Sequence, residues 1–123
     1  MISKRILLVE DEINIRFNIK TMLEIEFYDV ADVQDGSYAL TMLEEEDFDL
    51  VITDIMMNNL GGLELLEHIR AHEKLAQLPV ILVTAKPEKE VSDILDHPLN
   101  FYLGKPFSYD NLIATVNSAL GNN

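Results

Sequence analysis

A doubly wound α/β fold around a five-stranded parallel sheet is predicted by three observations. Apolar runs such as Ile6-Leu7-Leu8-Val9, Asp49-Leu50-Val51-Ile52-Thr53 and Pro79-Val80-Ile81-Leu82-Val83 lack the alternation of half-exposed strands, which indicates strands covered on both faces. Stretches with helical periodicity separate them. The same runs end in polar residues, Glu10-Asp11-Glu12, Asp54 and Thr84, so three polar tips share one edge of the sheet. The carboxylate of Asp54 is expected to end its strand in contact with solvent, because a buried strand cannot hold an unpaired charge.

The elements follow in strict alternation. The first strand covers residues 5–9, and the first helix, 13–26, places Ile15, Ile19, Met22 and Leu23 on one face. The second strand is 29–33. Asp35-Gly36-Ser37 turns into the second helix, 37–46, with Ala39, Leu40, Met42 and Leu43 inward. The third strand, 49–53, ends at Asp54. Asn58-Asn59-Leu60-Gly61-Gly62 forms a turn whose glycines allow positive backbone angles, followed by a helix over 63–73 with Leu65, Leu66 and Ile69 buried. The fourth strand is 79–83. Pro87 and Pro98 confine the fourth helix to 88–96. The fifth strand is 100–103, and Ser108 caps a last helix over 109–120 that Gly121 closes. Right-handed crossovers between such units make the flavodoxin-like strand order 2-1-3-4-5 the simplest solution, a (βα)5 arrangement.

The 123 residues suit a single domain, 1–123, with a core large enough to need neither disulfide nor structural metal. With no cysteine, thiolate zinc sites and cysteine nucleophiles are excluded. No segment approaches a membrane span and Met1-Ile2-Ser3-Lys4-Arg5 does not lead into a signal peptide, so a cytoplasmic location without membrane association is expected. A formal charge of −13 opposes direct binding to nucleic acid or anionic lipid. The acids Glu44-Glu45-Glu46-Asp47, Glu24 and Glu26 read as solvated helix faces, and His68, His72 and His97 lack ligand spacing and read as surface residues.

The strand order brings Asp11 and Asp54 to one crevice beyond the carboxyl ends of the first and third strands. Crowded carboxylates repel, which a cation relieves. Oxygen ligands without His or Cys suit a hard ion, Mg2+ with Mn2+ as an alternative, and Mg2+ takes one or two carboxylates together with waters and phosphate oxygens. Lys105, ahead of Pro106 in a bond open to the cis form, supplies the complementary charge, and Thr84 a hydroxyl. A carboxylate nucleophile, a metal-binding acid pair, a hydroxyl and an ammonium are what an aspartyl phosphate requires.

The motifs Ile6-Leu7-Leu8-Val9-Glu10-Asp11-Glu12, Asp49 through Met57, Val83-Thr84-Ala85 and Lys105-Pro106-Phe107 resemble those of the receiver domain of two-component response regulators, over nearly the whole chain from Arg5 to Leu120. The resemblance implies that Asp54 accepts a phosphoryl group from a sensor histidine kinase or phosphotransfer protein. It implies that Glu10 and Asp11 hold Mg2+ with Asp54 and the Met56 backbone carbonyl, that Thr84 and Lys105 bind the phosphoryl oxygens, and that Tyr102 reports the switch to a downstream effector. It implies a phosphoacceptor rather than an enzyme, as monomer or weak phosphorylation-dependent dimer.

Several positions depart from the family pattern. Asn58 and Gly61 stand where proline and an acid are usual, which should loosen that loop. His97-Pro98-Leu99-Asn100 replaces the usual Gly-Ala and acids, and the last helix carries no Arg or Lys for the charged pairs of an active dimer. Two other classes compete. A phosphoaspartate hydrolase usually carries a second acid two residues after the nucleophile, where this chain has Met56. A receiver-like interaction module that works without phosphorylation would not need every chemical position filled.

Overall fold

The computed structural model describes residues 3–57 and 59–121. Its strands are β1 (Arg5–Val9), β2 (Asp29–Val33), β3 (Leu50–Asp54), β4 (Val80–Thr84) and β5 (Asn100–Gly104). They are all parallel, in the order β2-β1-β3-β4-β5. The helices are α1 (Ile13–Ile25), α2 (Gly36–Glu45), α3 (Gly62–Ala71), α4 (Ser92–Leu95) and α5 (Tyr109–Leu120).

Uninterrupted apolar runs arise because each strand feeds two cores. Ile6, Leu8, Ile52 and Ile81 face α1 and α5, packing on Ile19, Leu23, Leu112 and Val116. Their neighbours Leu7, Val9, Val51 and Leu82 face the other way, against Ala39, Leu43, Leu65 and Ile69. Since α1 belongs to one layer and α3 to the other, the connections after β1 and β3 diverge. The crevice opens between them.

Three strands run one residue further than expected, so Asp54, Thr84 and Gly104 belong to the sheet. Asp54 pairs with Val83 and Thr84 with Gly104, which staggers the polar tips along the edge. The expected solvent contact of Asp54 is found only as a small opening. The residue is 6% exposed, and its charge is tolerated there because Lys105 and a backbone amide compensate it.

The fourth helix departs most from expectation. Its N-terminal part is a 3₁₀ turn (Glu88–Val91), and α4 is four residues long. Val91 is the single fully buried residue of the pair, and neither segment has a capping side chain, so little holds a longer helix together. The turn before α3 also differs. Positive φ falls on Asn59 (59°) while Gly61 has φ −80°. Gly62 is needed for proximity instead: a Cβ there would lie 2.2 Å from the Asp54 carbonyl oxygen. Asn58, expected to loosen this loop, lies outside the described residues. Its neighbour Asn59 donates to Asp35 at 3.0 Å, and Leu60 accepts from the Gly36 amide at 3.0 Å, so the loop is tied to the start of α2.

The caps at the last helix are as expected. Ser108 accepts from Asn111 N at 3.0 Å, and Gly121 adopts φ 73°. No helix among the described residues is long and apolar enough to cross a membrane.

Candidate functional site

A cleft of about 540 Å³ lies over the carboxyl ends of β1, β3, β4 and β5, and Glu10, Asp11, Asp54, Met56, Thr84 and Lys105 all line it. Tyr102 does not. At the floor, Asp54 Oδ1 accepts the Met56 amide at 2.8 Å, and Oδ2 forms a direct ion pair with Lys105 Nζ. The ammonium also stands 3.6 Å from Glu10 Oε1. Lys105 is fixed in place through its backbone, whose N–H donates to Thr84 O at 2.7 Å and prolongs the β4–β5 ladder. The Lys105-Pro106 bond is cis.

Glu10 is buried, and burial is the main reason its carboxyl is raised to about 7. The charge of Asp54 pushes the same way, while the Glu12 amide, 3.2 Å from Glu10 Oε2, and Lys105 pull against it. For Lys105, burial favours the neutral amine, but the bond to Asp54 and the charges of Asp54 and Glu10 outweigh it, and its affinity for the proton is raised. The acids thus exceed the cations available to them. Asp11 is exposed at the mouth of the cleft.

Thr84 Oγ1 accepts the Lys86 amide at 3.1 Å, which leaves the hydroxyl proton to be donated elsewhere. Tyr102 sits behind the cleft, with its hydroxyl donating to the Lys86 carbonyl at 2.7 Å. Gly104, which the sequence reading passed over, makes room for that hydroxyl. A Cβ at Gly104 would approach it to 2.6 Å. The available signal was a glycine directly after the expected end of a strand, and a glycine in a strand often marks close approach of another group.

The histidines take no part in the cleft. His72 and His97 each accept a backbone amide two residues on, at 3.1 Å, and so shape turns. Among the described residues no three carboxylates or imidazoles are drawn together as a ready-made metal cage. The donor set nevertheless fits a hard divalent ion that retains water: carboxylate oxygens from Glu10, Asp11 and Asp54 line an open cleft, and burial, seconded by the charge of Asp54, raises the Glu10 carboxyl.

A family model described as "Response regulator receiver domain" matches residues 6–117. The chain is 38% identical over 108 residues to the chemotaxis protein CheY-3 of Vibrio cholerae, covering 86% of this chain and 83% of that one. Among solved structures, the chemotaxis response regulator CheY4 of Vibrio cholerae superposes with a TM-score of 0.90 at 25% identity, covering 97% of this chain and all of that one (100%). The response regulator protein TrrA of Thermotoga maritima, solved in complex with Mg2+-BeF, superposes with a TM-score of 0.83 at 37% identity over 95% of this chain and 99% of its own. This chain belongs to the response regulator receiver domains of two-component signal transduction.

Proposed function

We propose that this receiver domain is a phosphorylation switch in which Asp54 is the phosphoacceptor. A carboxylate oxygen of Asp54 attacks the phosphorus of a phosphohistidine on a sensor histidine kinase or phosphotransfer protein, a P–O bond forms as the P–N bond breaks, and the histidine leaves. Glu10, Asp11, Asp54 and the Met56 backbone carbonyl would hold Mg2+, or Mn2+ in its place, which when bound neutralises charge on the transferring phosphoryl oxygens. Lys105 turns from the Asp54 carboxylate to a phosphoryl oxygen, and Thr84 donates its free hydroxyl proton to another. Hydrolysis of the acyl phosphate resets the switch, so the domain is a self-catalysed acceptor and not a metabolic enzyme.

The observation that carries this reading is the setting of Asp54 at the cleft floor, one oxygen on an amide and the other on the Lys105 ammonium, beside the Thr84 tip. An apolar groove flanks the cleft, with Ile15, Ile19 and Met22 of α1 opposite Phe107. It supports docking of a donor protein, since a phosphohistidine reaching Asp54 brings its carrier onto this rim. The charge of −13 favours an output through a protein effector rather than direct contact with nucleic acid. We place the domain, residues 1–123, in the cytoplasm, as a monomer or weak phosphorylation-dependent dimer.

Beryllofluoride with Mg2+ tests the switch without a kinase. Amide chemical shifts should change at Asp54, Thr84 and Lys105 and on through Tyr102 and α4. Changes confined to the cleft would contradict a conformational output.

A further inference from the structure

Arg16 lies at the end of the first turn of α1 and reaches back to the turn that carries the acids. Its Nη1 donates to the Glu10 backbone carbonyl at 2.7 Å, and its Nε donates to Asp32 Oδ2 on β2 at 3.0 Å. The side chain is 16% exposed. On the other side of Glu10, its amide donates to the Val33 carbonyl at 3.1 Å. Both peptide groups of Glu10 are therefore held, one by the end of β2 and the other by a guanidinium that β2 itself orients. Where the chain leaves β1, these bonds set the directions in which Glu10 and Asp11 project.

A guanidinium bonded in two directions through a planar fork fixes an orientation, which an ammonium does not. Lys20 provides an internal comparison. It carries the same charge and meets the same Asp32, at 3.0 Å, yet no bond joins it to the Glu10 turn. We propose that Arg16 is a positioning residue that holds the Glu10–Asp11 turn in the geometry a divalent cation needs, and so sets the cation concentration at which Asp54 becomes competent for phosphorylation. The inference rests on the reading that these acids hold Mg2+.

Simple electrostatics makes the opposite forecast. A cation beside a cation site repels the incoming ion, so removing it should tighten binding. Positioning predicts weaker binding, on the order of tenfold, as for loss of a group that orients a metal ligand. The sign of the change separates the two.

The test is a Mg2+ titration of the whole chain followed by amide chemical shifts, without phosphodonor, with circular dichroism in EDTA to check folding. Arg16→Met should raise the half-saturating Mg2+ roughly tenfold. Lys20→Met should leave it unchanged or lower it. Arg16→Lys keeps the charge but cannot serve both Glu10 and Asp32, so it should fall between wild type and Arg16→Met; it also serves if Arg16→Met fails to fold. With acetyl phosphate, Arg16→Met should recover the wild-type rate at saturating Mg2+. Arg16 variants that bind Mg2+ as tightly as wild type, or more tightly, would overturn the proposal while leaving the site reading intact. Wild-type protein that takes up no Mg2+ would overturn the site reading and the inference with it.

Discussion

Thr84 and Tyr102 grip the same residue from two sides: the Thr84 hydroxyl oxygen accepts the Lys86 amide at 3.1 Å, and the Tyr102 hydroxyl donates to the Lys86 carbonyl at 2.7 Å. A threonine drawn toward a phosphoryl group gives up the Lys86 amide, and the disturbance reaches Tyr102 through one residue. Thr84→Ala should therefore still be phosphorylated at Asp54 but lose the beryllofluoride-induced shifts at Tyr102 and α4. Gly104→Ala should displace the Tyr102 hydroxyl, since the new Cβ would stand 2.6 Å from it. As the clash is with the far end of a side chain, the stability change should stay within about 1 kcal/mol. Amide spectra and urea melts of both variants check this.

The raised Glu10 carboxyl makes the metal-free protein pH-sensitive. Below its ordinary value of 4.5 both folded and unfolded states are protonated. Between there and about 7 the unfolded chain releases a proton that the fold retains, so stability falls as pH rises and levels off above that range. Glu10→Gln should flatten this slope and stabilise the metal-free protein near pH 8 by on the order of 1–3 kcal/mol. Asp35 acts in a different window: its carboxyl is lowered, first by the Ser37 hydroxyl, and its contribution is lost only as pH falls below the usual carboxylate range. Urea denaturation in EDTA at about pH 5, 6 and 8 measures the Glu10 effect, and extending the series down to about pH 2 and 3 measures that of Asp35.

The strand order, both apolar faces and the shared cleft were legible because they follow from side-chain period and strand ends. Asp54, Thr84 and Lys105 are strand-tip residues, and parallel order alone assembles them. What was not legible depends on distance between backbones remote in sequence. Gly62 reads as a flexible turn residue until β3 is seen against it, and Gly104 reads as nothing in particular until the Tyr102 ring lies over it. Arg16 looks like one more surface charge on an amphipathic helix. The split of the fourth helix was hidden because periodicity does not distinguish a short α-helix from a 3₁₀ turn.

The two glycines at the start of α3, Gly61 as its cap and Gly62 as its first residue, should respond differently. At Gly62 an added Cβ meets the Asp54 carbonyl oxygen at 2.2 Å and the Ile55 Cα at 2.9 Å, neither of which can move without distorting β3. Gly62→Ala should cost about 3 kcal/mol or more, or prevent folding. Gly61 has φ −80° and its nearest contact would be 3.4 Å away. Gly61→Ala should lie within about 1 kcal/mol of wild type and can stabilise. Chemical denaturation of the pair tests the contrast.

The unusual start of β5 is secured by Arg70. Its guanidinium donates to the Ala76, Leu78 and Leu99 carbonyls at 3.1, 2.6 and 3.1 Å and, through Nε at 3.1 Å and also through Nη2, to Asn100 Oδ1. Asn100 in turn donates to the Ile94 carbonyl at 2.8 Å, which ties α4 to the sheet. Burial without a formal counter-charge lowers the proton affinity of Arg70. Arg70→Met should cost roughly 2–4 kcal/mol, because several oxygens lose a donor at once. Glu46→Gln, which weakens the exposed Arg5 pair at 2.9 Å, should cost less than about 0.5 kcal/mol. Thermal and urea melts decide between them.

The most direct measurement of the central claim is the intact mass of the protein after incubation with acetyl phosphate and Mg2+. A gain of about 80 Da, absent in EDTA and absent in Asp54→Asn, is the expected result. A wild-type mass that never changes, or a gain that survives Asp54→Asn, would contradict it.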